Sequence, residues 1–321
     1  MSVERGSLAL AVSGDRGLVL ALHDGELTAR PVSSEGRALG PPRTSQVSGA
    51  QALLALAPRG ERYVLLARGS CEASAHCLIA QALDREGAVI AAPITVPLPE
   101  PTRTSRRAGD DGPLFFAWST TGGHRALERF TLGPDGSIAH ARVALGDEPA
   151  SAESPVEILA LAAEGARFAA IWRRGPTEDV SSEVYVTTSE SHRDVHALHH
   201  ALAIDSIELR GDALALITTF EFSRPHLLRL TASEGEPTLA RELASGAPVP
   251  APFTERERAE LDPDGRGLWL RRRDAKGDPI GERVLVTDGS VESAALTRDR
   301  DALVVTWLAG GAVHGRRVRC P

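Results

Sequence analysis

Apolar residues come in short runs, alternating with polar ones or unbroken, and each run stops at a cluster of Gly, Pro, Ser or acidic residues. Short runs rich in Val, Leu and Ala and bounded by turn formers predict β-strands rather than helices. The clearest stretch is Cys77 to Val96, CLIAQALDREGAVIAAPITV, which reads as an apolar strand, a tight acidic turn ending at Gly87, and a second strand leading to Pro97.

That turn recurs. SSEG ends at Gly36, DREG at Gly87, GPDG at Gly136, ASEG at Gly235 and DAKG at Gly277. The step is 51 residues from Gly36 to Gly87, 49 to Gly136 and 42 from Gly235 to Gly277, and the intervening 99 make two units with the middle turn lost around Ser189 to Asp194. Gly in the last turn position supplies positive φ, and acidic residues before it suit a polar tip. A second marker agrees: LFFAW, FAAIW and LVVTW end at Trp118, Trp172 and Trp307, with steps of 54 and 135, the latter three units of 45.

Repeats of about 40 to 50 residues built of short strands mark a β-propeller, in which a blade cannot bury both of its faces alone. The expected fold is all-β: a seven-bladed β-propeller with four-stranded antiparallel blades, some degenerate, forming a single domain over 1–321. The blades fall at about 1–49, 50–99, 100–151, 152–201, 202–247, 248–287 and 288–321. In the third, polar PTRTSRRAGDDG replaces the first apolar run and reads as an eroded strand or a loop. In the sixth, ERERAEL serves as the strand ahead of the one carrying Trp269. The last blade is one strand short, and Ser2 to Arg5 is the candidate that closes the ring.

Composition narrows the function. Thirty-six basic against 43 acidic residues leave a net charge of −7, which argues against a general nucleic-acid binder. Aromatic residues are 4%, so Ala, Leu and Val must fill the interfaces and the Trp residues are expected as packing centres. Lys276 is the one lysine and Asn is absent, a bias expected of a GC-rich bacterial genome that also leaves no N-glycosylation sequon. No apolar run is long enough to span a membrane, and the first residues carry no secretion signal. The protein is therefore expected to be cytoplasmic, or extracytoplasmic (periplasmic or extracellular) if a leader has been removed.

With QALDREGAVIAAP, RRRDAKGDPIGERV and the Trp-ended strands at Trp118, Trp172 and Trp307, the chain resembles uncharacterised bacterial propellers of the kind frequent in myxobacteria-like genomes. The resemblance implies the propeller fold, implies no activity, and often goes with export and a short cysteine loop.

Several groups are candidates for chemistry. Cys71 and Cys77 bracket EASAH where a hairpin brings them within bridging reach, either as a disulfide or as two plain thiols; Cys320 has no evident partner. Arg271, Arg272 and Arg273 with Arg316, Arg317 and Arg319 fall on what should be corresponding strands of neighbouring blades, a patch suited to a carboxylate, a phosphate or an acidic partner. In the His-rich stretch, His192 and His196 are the weak metal candidates, beside His199 and His200, set against a solvated loop. SGDRGLV at Ser13 imitates an Asp-box but has Leu20 in the Trp place, and DPDG at Asp262 offers too few oxygens for calcium and reads as a turn.

No nucleophile elbow, zinc-protease motif or phosphate loop is present. The expectation is a noncatalytic binding or scaffold propeller, monomeric and without cofactors, holding a protein or glycan on one face or at the channel mouth. The alternative is a hydrolase or lyase with its site at the central channel, assembled from single residues on separate blades.

Overall fold

The computed structural model describes residues 7–13, 16–23, 25–33, 37–109, 112–145, 155–175, 182–220, 226–231, 237–242, 258–263, 267–273, 281–291, 293–299, 302–309 and 312–319. Within them the chain folds as successive antiparallel sheets, each made of consecutive strands. The first holds β1 (Ser7–Ser13), β2 (Arg16–His23), β3 (Glu26–Ser33) and β4 (Arg43–Gln46), and the second β5 (Ala50–Arg59), β6 (Arg62–Cys71), β7 (Ser74–Leu83) and β8 (Ile94–Pro97). The third holds β9 (Thr102–Ala108), β10 (Leu114–Thr120), β11 (Arg125–Leu132) and β12 (Ile138–Ala144), and the fourth β13 (Val156–Glu164), β14 (Arg167–Arg174), β15 (Glu183–Thr188) and β16 (His192–Asp194). The fifth holds β17 (Ala201–Arg210), β18 (Ala213–Phe220), β19 (His226–Thr231) and β20 (Thr238–Glu242). Three described strands make each of the last two: β21 (Arg258–Pro263), β22 (Gly267–Arg273) and β23 (Val284–Asp288), then β24 (Ser293–Asp299), β25 (Ala302–Ala309) and β26 (Ala312–Arg319).

Unbroken apolar strands follow from burial on both faces. Along β10, Phe116 and Trp118 pack toward Leu66 and Leu78 of the second sheet, while Phe115 and Ala117 pack toward Phe168 and Trp172 of the fourth. The same two-sided packing joins the first sheet to the second through Leu18, Leu20 and Leu65, and the fourth to the fifth through Ile171, Val186 and Leu216. Leu268, Leu270, Val305 and Trp307 join the sixth to the seventh. The first strands of successive sheets lie side by side, β9 against β13 and β13 against β17, and β24 of the last sheet lies against β1 of the first. Trp118, Trp172, Trp269 and Trp307 all stand on second strands.

Two local expectations need correcting. The polar TRTSRRA stretch is neither eroded nor a loop: it is β9, fully paired with β10. Its polar side chains are used between sheets, with the Ile158 amide donating to Thr104 Oγ1 (2.8 Å) and Arg106 Nε donating to the Leu159 carbonyl (2.9 Å); beside Thr104, the buried Ser119 hydroxyl of β10 donates to the Val156 carbonyl (3.0 Å). A first strand with a satisfied polar side needs no apolar run.

The DREG turn is tight, the Asp84 amide donating to the Ala88 carbonyl (2.9 Å) and the Gly87 amide to the Asp84 carbonyl (3.1 Å), but the strand expected after it is interrupted. Asp84 Oδ1 accepts from the amides of Glu86 and Ala88 (both 2.8 Å), and Gly87 sits at φ 87°. The chain then makes a single bridge, Leu83 to Val89, before β8 pairs with Cys77 to Ala80. Gly136 adopts φ 88° in the corresponding turn; Gly36, Gly235, Gly277 and the proposed closing strand Ser2 to Arg5 lie outside the described residues. No helix among the described residues is long and apolar enough to cross a membrane.

Candidate functional site

In an up-and-down sheet the turn between the second and third strands and the exit to the next sheet share one end. At that end of the second and third sheets lies a cleft of about 590 Å³, whose walls include Ser74, Pro97, Trp118, His124, Arg125 and Arg142.

Its second-sheet wall is the turn between β6 and β7, closed by a disulfide between Cys71 and Cys77 with their Cα atoms 6.0 Å apart. Ser74, within that loop, donates its hydroxyl to the Leu98 carbonyl (3.0 Å), tying the turn to the exit strand.

The third-sheet wall is organised around one buried carboxylate. Glu128 faces inward on β11 and is fully excluded from solvent. Its Oε1 accepts from Trp118 Nε1 (2.9 Å) and Arg142 Nε (2.7 Å), and Oε2 meets His140 Nε2 at 2.6 Å. As a carboxylate Glu128 only accepts, so His140 presents its Nε2 proton. The anchor is cross-strand, Glu128 standing opposite Arg142 in the β11–β12 register. The Arg142 guanidinium lies 5.6 Å from the Trp118 ring, its Nη2 donates to the Pro97 carbonyl (3.4 Å), and its side chain is 46% exposed on the cleft.

Arg125 at the start of β11 donates Nε to the Leu145 carbonyl, and its guanidinium carbon lies 4.2 Å above the Trp172 ring of the fourth sheet. His124 is exposed in the β10–β11 turn. Beside it Glu100 accepts from Thr120 Oγ1 (2.6 Å) and the Gly122 amide (2.7 Å). The Thr120 hydrogen bond, then the Gly122 amide and the His124 charge, hold the Glu100 carboxyl below its usual range. The cleft thus offers one anchored guanidinium group, Arg142, and one exposed imidazole, His124, while the guanidinium of Arg125 turns to Trp172 of the fourth sheet.

The residues singled out in the sequence are placed otherwise. The two arginine triplets do not lie on corresponding strands: Arg271 to Arg273 are on β22, second in its sheet, and Arg316, Arg317 and Arg319 on β26, third in the next. The offset arises because β21 takes the first place in the sixth sheet. Arg316 Nη1 donates to the carbonyls of Leu285 (2.7 Å) and Val286 (3.2 Å), so it links the two sheets. The side chains of Arg272, Arg273, Arg317 and Arg319 lie outside the description.

His192 and His196 are not a pair. The His192 ring stacks on Trp172 (5.6 Å) and Tyr185 (5.1 Å), and its Nδ1 meets Thr187 Oγ1 at 2.7 Å. His196 instead lies near Asp194 and His199. On a strand-to-turn boundary, residues four apart do not share a face as they would in an α-helix.

Sequence reasoning passed over the cleft residues, although one signal was present. Glu128 occupies an inward position in the alternating run ALERF, and a lone charge there asks for partners.

No protein-family model matches the chain, and no curated protein matches it in sequence. Among solved structures the chain is similar to a prolyl endopeptidase (13% identity, 98% of this chain, 50% of that one, TM-score 0.49). It is similar also to prolyl oligopeptidase B from Galerina marginata (8%, 94% and 46%, TM-score 0.55) and to the polysaccharide lyase Uly1 (10%, 99% and 91%, TM-score 0.55). The chain spans about half of each peptidase and nearly all of the lyase. At these identities the likeness concerns the fold, which is all-β, antiparallel and of the propeller type.

Proposed function

We propose that the protein is a carbohydrate-active propeller that takes an acidic glycan in the cleft between the second and third sheets and cleaves it by elimination. The observation that carries this is the Arg142 guanidinium, anchored on Glu128 and still 46% exposed, on one cleft that also holds an exposed imidazole, His124. A planar guanidinium fork matches a sugar carboxylate.

Elimination needs little more. Arg142 offsets the carboxylate charge and so acidifies the adjacent C–H. His124, as the neutral imidazole, takes that proton, the electron pair forms a C=C bond, and the glycosidic C–O bond breaks as its oxygen leaves and takes a proton from the imidazolium so formed or from water. General-base help of this kind is worth roughly 10² to 10⁴ in rate. The lyase likeness supports the reading because one chain of nearly this length accounts for that whole protein, whereas the peptidases are matched over only half.

A second reading is a noncatalytic glycan-binding propeller. It is favoured by Glu128, the buried carboxylate of the cleft wall, whose two oxygens are engaged by Trp118, His140 and Arg142 rather than turned to a substrate. In either reading the blades close as a seven-membered ring, supported by β24 lying against β1. The Cys71–Cys77 bridge favours an oxidising, extracytoplasmic compartment, and the protein acts as a monomer.

The test is incubation with uronic-acid polysaccharides of several linkages and a neutral glucan. Ultraviolet absorbance follows the unsaturated product, and calorimetry follows binding. His124→Ala should lower turnover about a hundredfold or more while binding persists, and Arg142→Ala should weaken both. Binding without turnover would select the second reading; neither binding nor turnover would overturn both.

A further inference from the structure

Among the described residues, the connection between β16 and β17 gathers ligating side chains away from the cleft, and its backbone is firmly set. Val195 and Leu198 are fully buried in the cluster that joins the fourth and fifth sheets. The Val195 amide donates to the Val184 carbonyl (2.8 Å), the Leu198 amide to Val195 (2.9 Å) and the His199 amide to His196 (3.1 Å). His196–Leu198 is a 3-10 turn. At three residues per turn, positions i and i+3 eclipse, so with Val195 and Leu198 facing inward, His196 and His199 fall on one outer face.

The side chains follow this geometry. The His196 and His199 rings lie 4.6 Å apart, and His199 Nε2 meets Asp194 Oδ1 at 2.6 Å. One ligand atom from each of Asp194, His196 and His199 lies within 4.8 Å of the others. Zinc takes nitrogen and oxygen ligands at about 2.0 to 2.2 Å, which sets tetrahedral neighbours roughly 3.4 Å apart. Side-chain rotations alone would open the Asp194–His199 contact and draw His196 in by that much. His196 is exposed, so the fourth position stays open to water or a ligand group.

We propose that Asp194, His196 and His199 form a binding site for one divalent transition-metal ion of the zinc, nickel or copper class. Two imidazoles and one carboxylate favour those ions over calcium or magnesium, which take oxygen ligands. His192 is outside the set, being held against Trp172 and Tyr185. The site is separate from the glycan cleft and stands whether or not that cleft holds a glycan.

The test is titration of the full chain, disulfide intact and stripped with chelator, with zinc chloride by calorimetry and with cobalt chloride by visible absorption. One equivalent of zinc should bind, and cobalt should give the intense bands of a four-coordinate site. His196→Ala, an exposed substitution that leaves the fold alone, and His199→Ala should each weaken binding at least about tenfold, the lower end of what even outer partners of a metal site cost. His192→Ala should leave affinity unchanged, and excess calcium should not compete. Absence of saturable binding, or undiminished binding by the His196→Ala/His199→Ala double variant, would overturn the proposal.

Discussion

At the scale of single residues, Glu128 shows how one buried charge organises a wall. Its carboxylate satisfies the indole N–H of Trp118, itself only 2% exposed, so removing the acceptor strands a donor where water cannot reach it. Arg142 can turn to solvent, so the loss concentrates on Trp118 and His140. Glu128→Ala should cost about 2 kcal/mol, and Glu128→Gln, which keeps one acceptor oxygen, clearly less. Urea midpoints measure both, and equal midpoints for the wild type and the Ala variant would show that the three hydrogen bonds are idle. Tyr63 makes a second residue-scale case. Burial pushes its hydroxyl up to about 12, with Arg16 opposing weakly. An unfolded tyrosine ionises near pH 10, so the stabilisation from the neutral phenol is complete below about pH 10 and is lost as pH rises through about 12. The alkaline loss should be about 2 kcal/mol, and Tyr63→Phe should flatten that limb of a stability–pH curve without abolishing it. Tyr185 is raised too, by burial and by its hydrogen bond to Glu183.

At the scale of elements, turns differ in what they tolerate. A Cβ added at Gly87 would lie 2.2 Å from the Ala29 Cβ of the first sheet, whereas at Gly165, also at positive φ, it would meet nothing within 4 Å. Gly165→Ala should therefore cost only the left-handed backbone penalty of about 1 kcal/mol. Gly87→Ala should cost at least twice that, because two sheets must also part. Thermal melts of the two variants decide it, and equal shifts would mean that the contact between the first and second sheets yields freely. Legibility follows the same division. Strands buried on both faces were legible as unbroken apolar runs ending in Trp118, Trp172 and Trp307, because two apolar neighbours demand them. β9 was not, since Thr104 and Arg106 bond to the next sheet and need no apolar partners. The cleft was illegible for a different reason: Ser74, His124 and Arg142 meet only once two sheets have packed, and no local pattern records that meeting. Only the Glu128–Arg142 pair, opposite in one hairpin, could have been found from sequence.

At the scale of the molecule, each sheet from the second to the fifth has apolar residues that only a neighbour covers. Loss of one contact face should then be felt by the whole chain. Leu216, fully buried between the fourth and fifth sheets, offers the test. Leu216→Ala should cost about 2 to 5 kcal/mol and lower a single calorimetric transition whose van't Hoff and calorimetric enthalpies still agree. A trace split into two peaks would mean that groups of sheets melt on their own.

The fourth strands bear on a different matter. β4 and β8 span four residues each, β16 spans three, and β8 ends in Pro97, so the edges of the first, second and fourth sheets offer few backbone donors in a row. Another chain has almost nothing there to zip onto. Fibril seeding should therefore spare these edges, and β12 and β26, the seven- and eight-residue outermost described strands of the third and seventh sheets, are where a breach would begin.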